Sequence, residues 1–544
     1  MLLSNFNLMA TAPGGVARLR ELILTLAVQG KLVPQDAADE PASVLLQKIR
    51  AEKDRLIAAG KIRRDKPLAA IAEEEKPYEL PFGWEWVRLG TLLNRLSNGY
   101  SGGQSKVPSP YPLSRIETIS AASVNYKRVG YCENLSEEDI EKYRLVPGDI
   151  LLSHINSDIH LGKTALVKDD RLLIHGVNLL LLRPSNFLCS NYVNLAITQR
   201  RFEGYFLSIA QHAIGQASIN QSKLTAMLVA LPPAAEQFRI DARVEELMRV
   251  CDALEAKGKL EAAQHAQLVS TLLGTLTGRD TPEALAQNWQ RIATYFDVLL
   301  DRPQAVDAFE KTILQLALRG LLVPQDPDEE SASILLQKIR VEKERSVLED
   351  KIKRDKPLAE IAEEENPFEL PVGWAWTQLG HLIRISSGDG LTAAQMAPNG
   401  HIPVYGGNGV NGHHDQSNVE KSTIVIGRVG YYCGSVHITP SRAWVTDNAF
   451  ITRYPQALLD MKWLYWLLMG TNLKENDAAT AQPVISGRKL YPIAVALPPL
   501  AEQSRIVARI EALRSLCAEL RQRLSASQTT QAHLAEALVE SVAG

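Results

Sequence analysis

Two stretches of this chain place apolar residues at alternating steps of four and three. Ile240, Val244, Leu247, Cys251 and Leu254 form the first set, and Ile506, Ile510, Leu513, Cys517 and Leu520 repeat its spacing. Those steps bring the apolar side chains onto one narrow face of a helix, a seam of the coiled-coil type. Glu, Arg, Lys, Ala and Gln fill the positions between, which favours helix and gives it a charged outer face. Read from 235 to about 277, the first helix would be on the order of 60 Å long at ~1.5 Å per residue. Leaving either seam in water is costly, so the expectation is that the two helices pack on each other. The alternative is that each lies in the core of an ordinary bundle.

Elsewhere the pattern is that of short strands. GDILLSHI (148–155), TALVKD (164–169) and NLLLLRP (178–184) form one cluster; STIVIGRV (422–429), GSVHIT (434–439) and NAFITRY (448–454) form another. Turn residues punctuate them at PSN (184–186), PNG (398–400) and GGNG (406–409). Helical ends are expected near 190–212 and 456–470. Asn178 and Arg183 stand five apart in the first cluster, as Asn448 and Arg453 do in the second, which suggests one fold used twice.

The chain also repeats itself outright. A shift of 290 residues aligns Glu21–Gly90 with Lys311–Gly380 without a gap, with 44 identities in 70 positions. LVPQD (32–36), LLQKIR (45–50) and RDKPLA (64–69) recur at 322–326, 335–340 and 354–359, and LPFGWEWVRLG (80–90) recurs as LPVGWAWTQLG (370–380). A different shift, 266, aligns VALPPAAEQFRIDAR (229–243) with VALPPLAEQSRIVAR (495–509). Unequal shifts mean that the material between the repeats differs in length. The expected order is a repeated helical region (1–80), a module (81–234), a central helical spacer with the second repeated block (235–370), a second module (371–500) and a C-terminal spacer helix (501–544). The fold class is therefore α+β: two globular mixed α/β domains separated by long helices that form an antiparallel coiled-coil spacer, with an internal pseudo-twofold repeat. The first block lacks the long helix that precedes its second copy.

Length and composition narrow the class. At roughly 100–200 residues per domain, 544 residues make about three to five structural units. A hydrophobic share of 45% with 22% charged residues is that of a globular chain and argues against wholesale disorder. Five cysteines at 132, 189, 251, 433 and 517 contain no C-x-x-C pair, so neither a disulfide framework nor a cysteine-rich zinc site is expected. The opening MLLSNFNLMATAPGG is a poor signal peptide, and no apolar run approaches the ~18 residues of a membrane helix. A cytoplasmic protein with no membrane partner is the expectation.

No string carries a catalytic reading. GNGVNG (407–412) matches a dinucleotide pattern, but HHDQSNV follows where a helix must open. LGKTA (161–165) ends like a phosphate loop, yet Ser157 stands where its first glycine belongs and a strand follows. Asp328 with Glu349-Asp350-Lys351 superficially resembles a metal nuclease pattern, but the first repeat has Ala38 in place of Asp328 and the surroundings read as a charged helix. Asn366-Pro367-Phe368 is one proline short of the loop that holds a flipped adenine, and no methyl-donor glycine loop precedes it. His413-His414-Asp415 has no companion at metal-ligand spacing. No catalytic residue, metal ligand or cofactor site is assigned.

Charge placement does carry a reading. The net charge is −3, but residues 81–234 hold three more bases than acids and residues 371–500 hold two more. Basic modules on acidic spacers suit DNA, where phosphate neutralisation supplies much of the affinity and polar side chains read base edges. The candidate DNA contacts are Lys106, Lys127, Arg128, His154, Asn156, Lys163 and Lys223 in the first module. In the second they are Asn408, Asn411, His413, Arg428, Arg442, Arg488 and Lys489.

In this order, these motifs resemble the specificity subunits of type I restriction–modification systems. The block AVQGKLVPQD…LLQKIR with its repeat, LPxGWxW opening each module and LPPxAEQxRI opening each helix carry the resemblance, together with IPVYGGNGVNG (402–412), IVIGRVGYYCGSV (424–436) and WVTDNAFI (444–451). The first module lacks a clear counterpart of the YGGNG and WVTDNAF strings. The resemblance implies a non-catalytic reader of double-stranded DNA, with one target-recognition domain on each half of a split, asymmetric site and the paired helices as a ruler between them. Entry into one face of the duplex would set the half-site centres about one turn, ~34 Å, apart. It further implies two modification subunits that bind S-adenosylmethionine and methylate adenine, and restriction subunits using ATP and Mg; this chain would hold no cofactor. A modification-only complex is compatible with the same chain. From another class, the alternative is a scaffold that bridges partner subunits without reading sequence; an autonomous nuclease or methyltransferase lacks its motifs.

Overall fold

The structure, a computed structural model, describes residues 9, 11–119, 123–213, 216–278, 282–349, 358, 368–397, 399–430, 432–474 and 484–543. Asp350, Lys351, Asn366, Pro367 and most of the second RDKPLA string lie outside them. The chain forms two compact units: Met1–Leu260 with Gln528–Gly544, and Glu261–Ser527. Each joins a short helix, a second helix, a module, and parts of both long helices.

Each module starts and ends on one antiparallel ribbon. Glu85–Arg88 pairs with Leu228–Leu231 in the first unit, and Ala375–Gln378 pairs with Ala494–Leu497 in the second. Within the first lies a four-stranded antiparallel sheet in the order Leu93–Asn98, Leu180–Pro184, Ile150–Leu152, Thr164–Leu166. The second has Arg384–Ser387, Ala449–Arg453, Ile424–Gly427, Val436–Ile438 in the same relative order. Two modules of unlike sequence thus share one topology. Their continuous apolar runs follow from burial on both faces: Ile150, Leu152, Leu180 and Leu182 join the main core of the unit, while Leu151, Ala165 and Leu181 close a smaller core on the other side. What differs is the insertion between the first and second strands. It is a hairpin of Tyr111–Leu113 with Gly130–Cys132 in one module, and of Ile402–Gly406 with Gly409–His414 in the other.

The helix after the sheet, Ser190–Phe202, is shorter than the expected 190–212. Gly204, at φ 76°, ends it; one turn follows at Tyr205–Ser208, and Gln211–Ala213 is a strand. Its counterpart, Met461–Gly470, lies within the expected span.

The three repeated strings meet at one joint. Glu236, at the start of the first long helix (Ala234–Leu276), is 1% exposed. It accepts a 2.9 Å bond from Trp84 Nε1 and a 3.3 Å bond from Gln35 Nε2. Its neighbour Gln237, fully buried, accepts from the Cys189 N–H at the head of the module helix and donates to the Pro232 carbonyl, both at 3.0 Å. The second unit repeats every bond. Glu502, in the helix Leu500–Ala543, accepts from Trp374 at 3.0 Å and from Gln325 at 3.3 Å. Gln503 accepts from Asp460 N–H at 2.9 Å and donates to Pro498 O at 3.3 Å. Burial pushes both glutamates upward in pKa, against the indole and amide donors that favour the charged form. Gly30 and Gly320 are required beside the joint: each has φ near +70°, and an added Cβ would lie 2.4 Å from Pro81 Cγ or 2.5 Å from Pro371 Cγ.

The long helices do pair, but their seams do not face each other. Ile240, Val244 and Cys251 are buried and Leu247 and Leu254 partly so, in one core with Ala535 and Val539 from the end of the second long helix. Ile506, Ile510 and Cys517, flanked by Leu513 and Leu520, share the other core with Val269, Leu273 and Leu276 from the end of the first. Start meets end, as antiparallel pairing demands, so two seams that both sit at helix starts fall in different units. The short helices complete them. Gly15–Val28 packs on Ser190–Phe202 in the first unit, and Pro303–Leu318 packs on Met461–Gly470 in the second.

Substituting Trp84→Phe leaves a buried carboxylate short of its indole donor and is expected to cost the first unit about 1–3 kcal/mol. Hydrogen exchange should quicken around residues 228–244 and stay unchanged around 494–510; equal change in both would contradict a joint local to each unit.

Candidate nucleic-acid interface

In the first module the candidates fall into two groups. Asn156, Lys163 and Lys223 gather with His154 around a small antiparallel sheet of Ile155–Asn156, Gln216–Ser218 and Gln211–Ala213. The Ile219 N–H donates to His154 O at 2.8 Å, and Asn220 then caps the helix Gln221–Ala226, accepting from Ser222 N–H at 2.8 Å. That helix presents Lys223, whose Nζ donates to Ile209 O at 3.0 Å. Lys163 Nζ lies 2.7 Å from His160 Nδ1, and burial with the nearby Arg201 charge lowers its pKa. Asn156 is half-buried and its Oδ1 accepts from the next amide. His154 departs from the expected exposed contact: it is 7% exposed, its Nδ1 has no partner, and burial lowers its pKa. Neutral imidazole suits that setting.

Lys106, Lys127 and Arg128 form the other group. All three are exposed on turns about the hairpin Tyr111–Leu113/Gly130–Cys132, where Ser105 bridges Tyr131 and the Arg128 carbonyl accepts from Thr118 Oγ1 at 2.7 Å.

The second module brings Asn408, Arg428, Arg488 and Lys489 to one edge. Asn408 is exposed at the tip of the hairpin Ile402–Gly406/Gly409–His414. Ser435 Oγ donates to Gly407 O at 2.9 Å, and an added Cβ on Gly407 would lie 2.8 Å from Val429 O, so the tip is drawn down against the segment that follows the strand Ile424–Gly427. Arg428 is steered by Ser387 Oγ and Asp447 O, each 3.3 Å from Nη1, and lies over the Phe450 ring. Val429 bridges Val484, whose carbonyl accepts from Lys489 Nζ at 2.9 Å. Arg488 is exposed beside it on the turn Gly487–Leu490. Asn411 and His413 are exposed farther along the hairpin. Arg442 lies apart, 3.4 Å from Ser417 Oγ and 3.6 Å from Glu420, which offsets its charge.

These corners correspond. Lys489 follows Lys223 by the same 266 residues as the long helices, and Arg428 takes the place of His154 just beyond the equivalent strand. Gln211, His212, Asn220 and Gln221 lie at the same corner and were not among the sequence candidates; polar and apolar residues are mixed from Gln211 to Lys223, and Ala217 and Ile219 are buried. His212 lies 3.7 Å from Asp158, and Gln221 Nε2 donates to Asn98 Oδ1 at 3.2 Å. Such amide, imidazole and cationic side chains can hydrogen-bond base edges and phosphates. Among the described residues no cluster of three His, Cys, Asp or Glu could hold a metal, and no helix is long and apolar enough to cross a membrane.

The family described as "Type I restriction modification DNA specificity domain" matches residues 371–527. The chain is 34% identical to the type I restriction enzyme EcoEI specificity subunit of Escherichia coli, over 97% of this chain and 93% of that protein. It is 33% identical to the EcoAI specificity subunit of the same organism, over the same shares. A chain from a solved structure concerned with complex assembly and conformational transition of the type I R-M system matches at TM-score 0.51 and 16% identity, covering 86% of this chain and 99% of that one. That likeness is one of fold.

The hairpin tip depends on Gly409, at φ +88°, where an added Cβ would meet His437 Cε1 at 3.1 Å. Gly409→Ala is expected to cost roughly 1–2 kcal/mol in the second unit, from left-handed backbone strain. Local hydrogen exchange over 402–414 should rise while the first unit keeps its protection; an unchanged hairpin would contradict the assignment.

Proposed function

Because this chain belongs to the specificity-subunit family of type I restriction–modification systems, we propose that it is the DNA reader of its complex. Each module reads one half of a split, asymmetric site, and the paired long helices hold the two half-sites at a fixed spacing. Two modification subunits dock on the repeated helical blocks and methylate adenine. S-adenosylmethionine belongs to them, and ATP and Mg belong to restriction subunits. This chain supplies recognition and no chemistry of its own.

One observation carries the reading: the same corner occurs twice on one topology, with Lys223 in one and Lys489 in the other, while the equivalent strand is followed by a buried His154 in the first module and by a half-buried Arg428 in the second. A lysine at the same position in both suits the phosphate contact that any sequence requires. Unlike hairpins, and an arginine where the first module buries a histidine, suit different bases. The excess of basic over acidic residues in both modules supports the same conclusion.

Methylated motifs in cells expressing the partner methyltransferase, with and without this chain, test it. A split adenine motif should appear only when the chain is present. Adding one helical turn to both long helices, near residues 260 and 527, should change the half-site spacing and leave both half-site sequences intact. An assembled, active complex with no such motif would favour a scaffold that joins subunits without reading sequence.

A further inference from the structure

The two short helices bury much the same pattern of positions in their units, although Leu22 of the first is Thr312 in the second and each also packs on its own module helix. Leu19, Ile23 and Ala27 of the first correspond to Phe309, Ile313 and Ala317 of the second, and all six are buried. Apolar burial alone therefore gives either short helix little reason to prefer its own long helix. An ion pair next to the joint does not discriminate either: Arg239 with Asp39, at 2.5 Å, has the same polarity as its counterpart, Arg505 with Glu329.

At one place the polarity is reversed. Arg20 of the first short helix pairs with Asp252 at 2.7 Å and Glu255 at 3.3 Å on the first long helix. The residue equivalent to Arg20 is Glu310, and the residue equivalent to Glu255 is Arg521. Glu310 pairs with Arg521 at 3.0 Å and with Arg514 at 3.1 Å, while Asp307 adds a 2.8 Å contact to Arg521. Cation on the short helix faces anion on the long helix in one unit; in the other, anion faces cation. Exchanging the short helices would set Arg20 against Arg514 and Arg521, and Glu310 against Asp252 and Glu255. Glu310 is largely buried and Arg20 partly so, while Asp252 and Glu255 are exposed, so solvent screens the repulsion from the long-helix side.

We propose that this reversed pair is a pairing code: each long-helix face accepts the short helix of its own repeat and rejects that of the other repeat, in the same chain or in a second copy. The shared apolar face supplies affinity, and the charges supply choice, by repulsion of the wrong partner as much as by attraction of the right one. In a chain with two repeated blocks, such a device biases each short helix toward the long helix of its own repeat. The inference does not depend on what the modules bind.

A photo-reactive benzoylphenylalanine in place of Ala17 tests it in the full chain. Ala17 is exposed, and its counterpart Asp307 reaches Arg521, so the probe sits beside Glu255. Mass spectrometry should locate cross-links on residues 248–260. The variant R20E/M248R/D252A/E255R gives the first unit the code of the second. Its own pairing stays complementary, yet cross-links to residues 514–526, within or between chains, should rise roughly tenfold. Adding D307A/E310R/R514M/A518D/R521E exchanges the codes and should return the cross-links to 248–260. Failure of the first variant to fold leaves this exchanged variant to decide. Cross-links confined to 248–260 in the first variant, or left distributed in the exchanged one, would overturn the proposal.

Discussion

A buried carboxylate and the amide next to it hold each half of this protein together. Glu236 binds the LVPQD and LPxGW strings through Gln35 and Trp84, and Gln237 binds the module helix at Cys189. Remove that pair and the block, the module and the long helix lose the hydrogen bonds by which they share one point. The arrangement is costly, since it places an ionisable group out of water, and it holds only while its donors are present. Its repetition at Glu502 and Gln503 explains why three strings far apart in sequence recur together: each supplies one member of a single constellation.

Fixing the ends of each module leaves its middle free to vary. Both modules hang from a two-stranded ribbon and share a four-stranded sheet, so differences concentrate in the hairpin between the first two strands and at the corner near Lys223 or Lys489. On such a rigid frame, polar edges can differ between the two modules while the scaffold stays the same.

Much of this was legible in the sequence because repetition is a strong signal. The repeated blocks, the long helices, the strands and the two-module order followed from alignment of the chain with itself and from apolar spacing. The seams misled because periodicity says which face of a helix is buried, and not against what: Ile240 and Ile506 both sit at helix starts, and antiparallel pairing sends them to different cores. His154 was expected at the surface, but a lone polar residue at the end of an apolar strand gives no local sign of depth. The seat of the first short helix was hidden for a similar reason, since its partners, Asp252, Glu255 and Glu536, lie more than 200 residues away. Gln211 and His212 were not singled out because a mixed polar and apolar stretch gives no sign that it lies beside Lys223.

The central claim is that one scaffold, built twice, carries two modules that act independently. Exchanging the segment between Gln378 and Ala494 for that of another family member, and then sequencing the methylated motif in cells containing the assembled complex, tests it most directly. The account predicts that one half-site changes while the other half and the spacing remain. A change in both half-sites, or in the spacing, would contradict it.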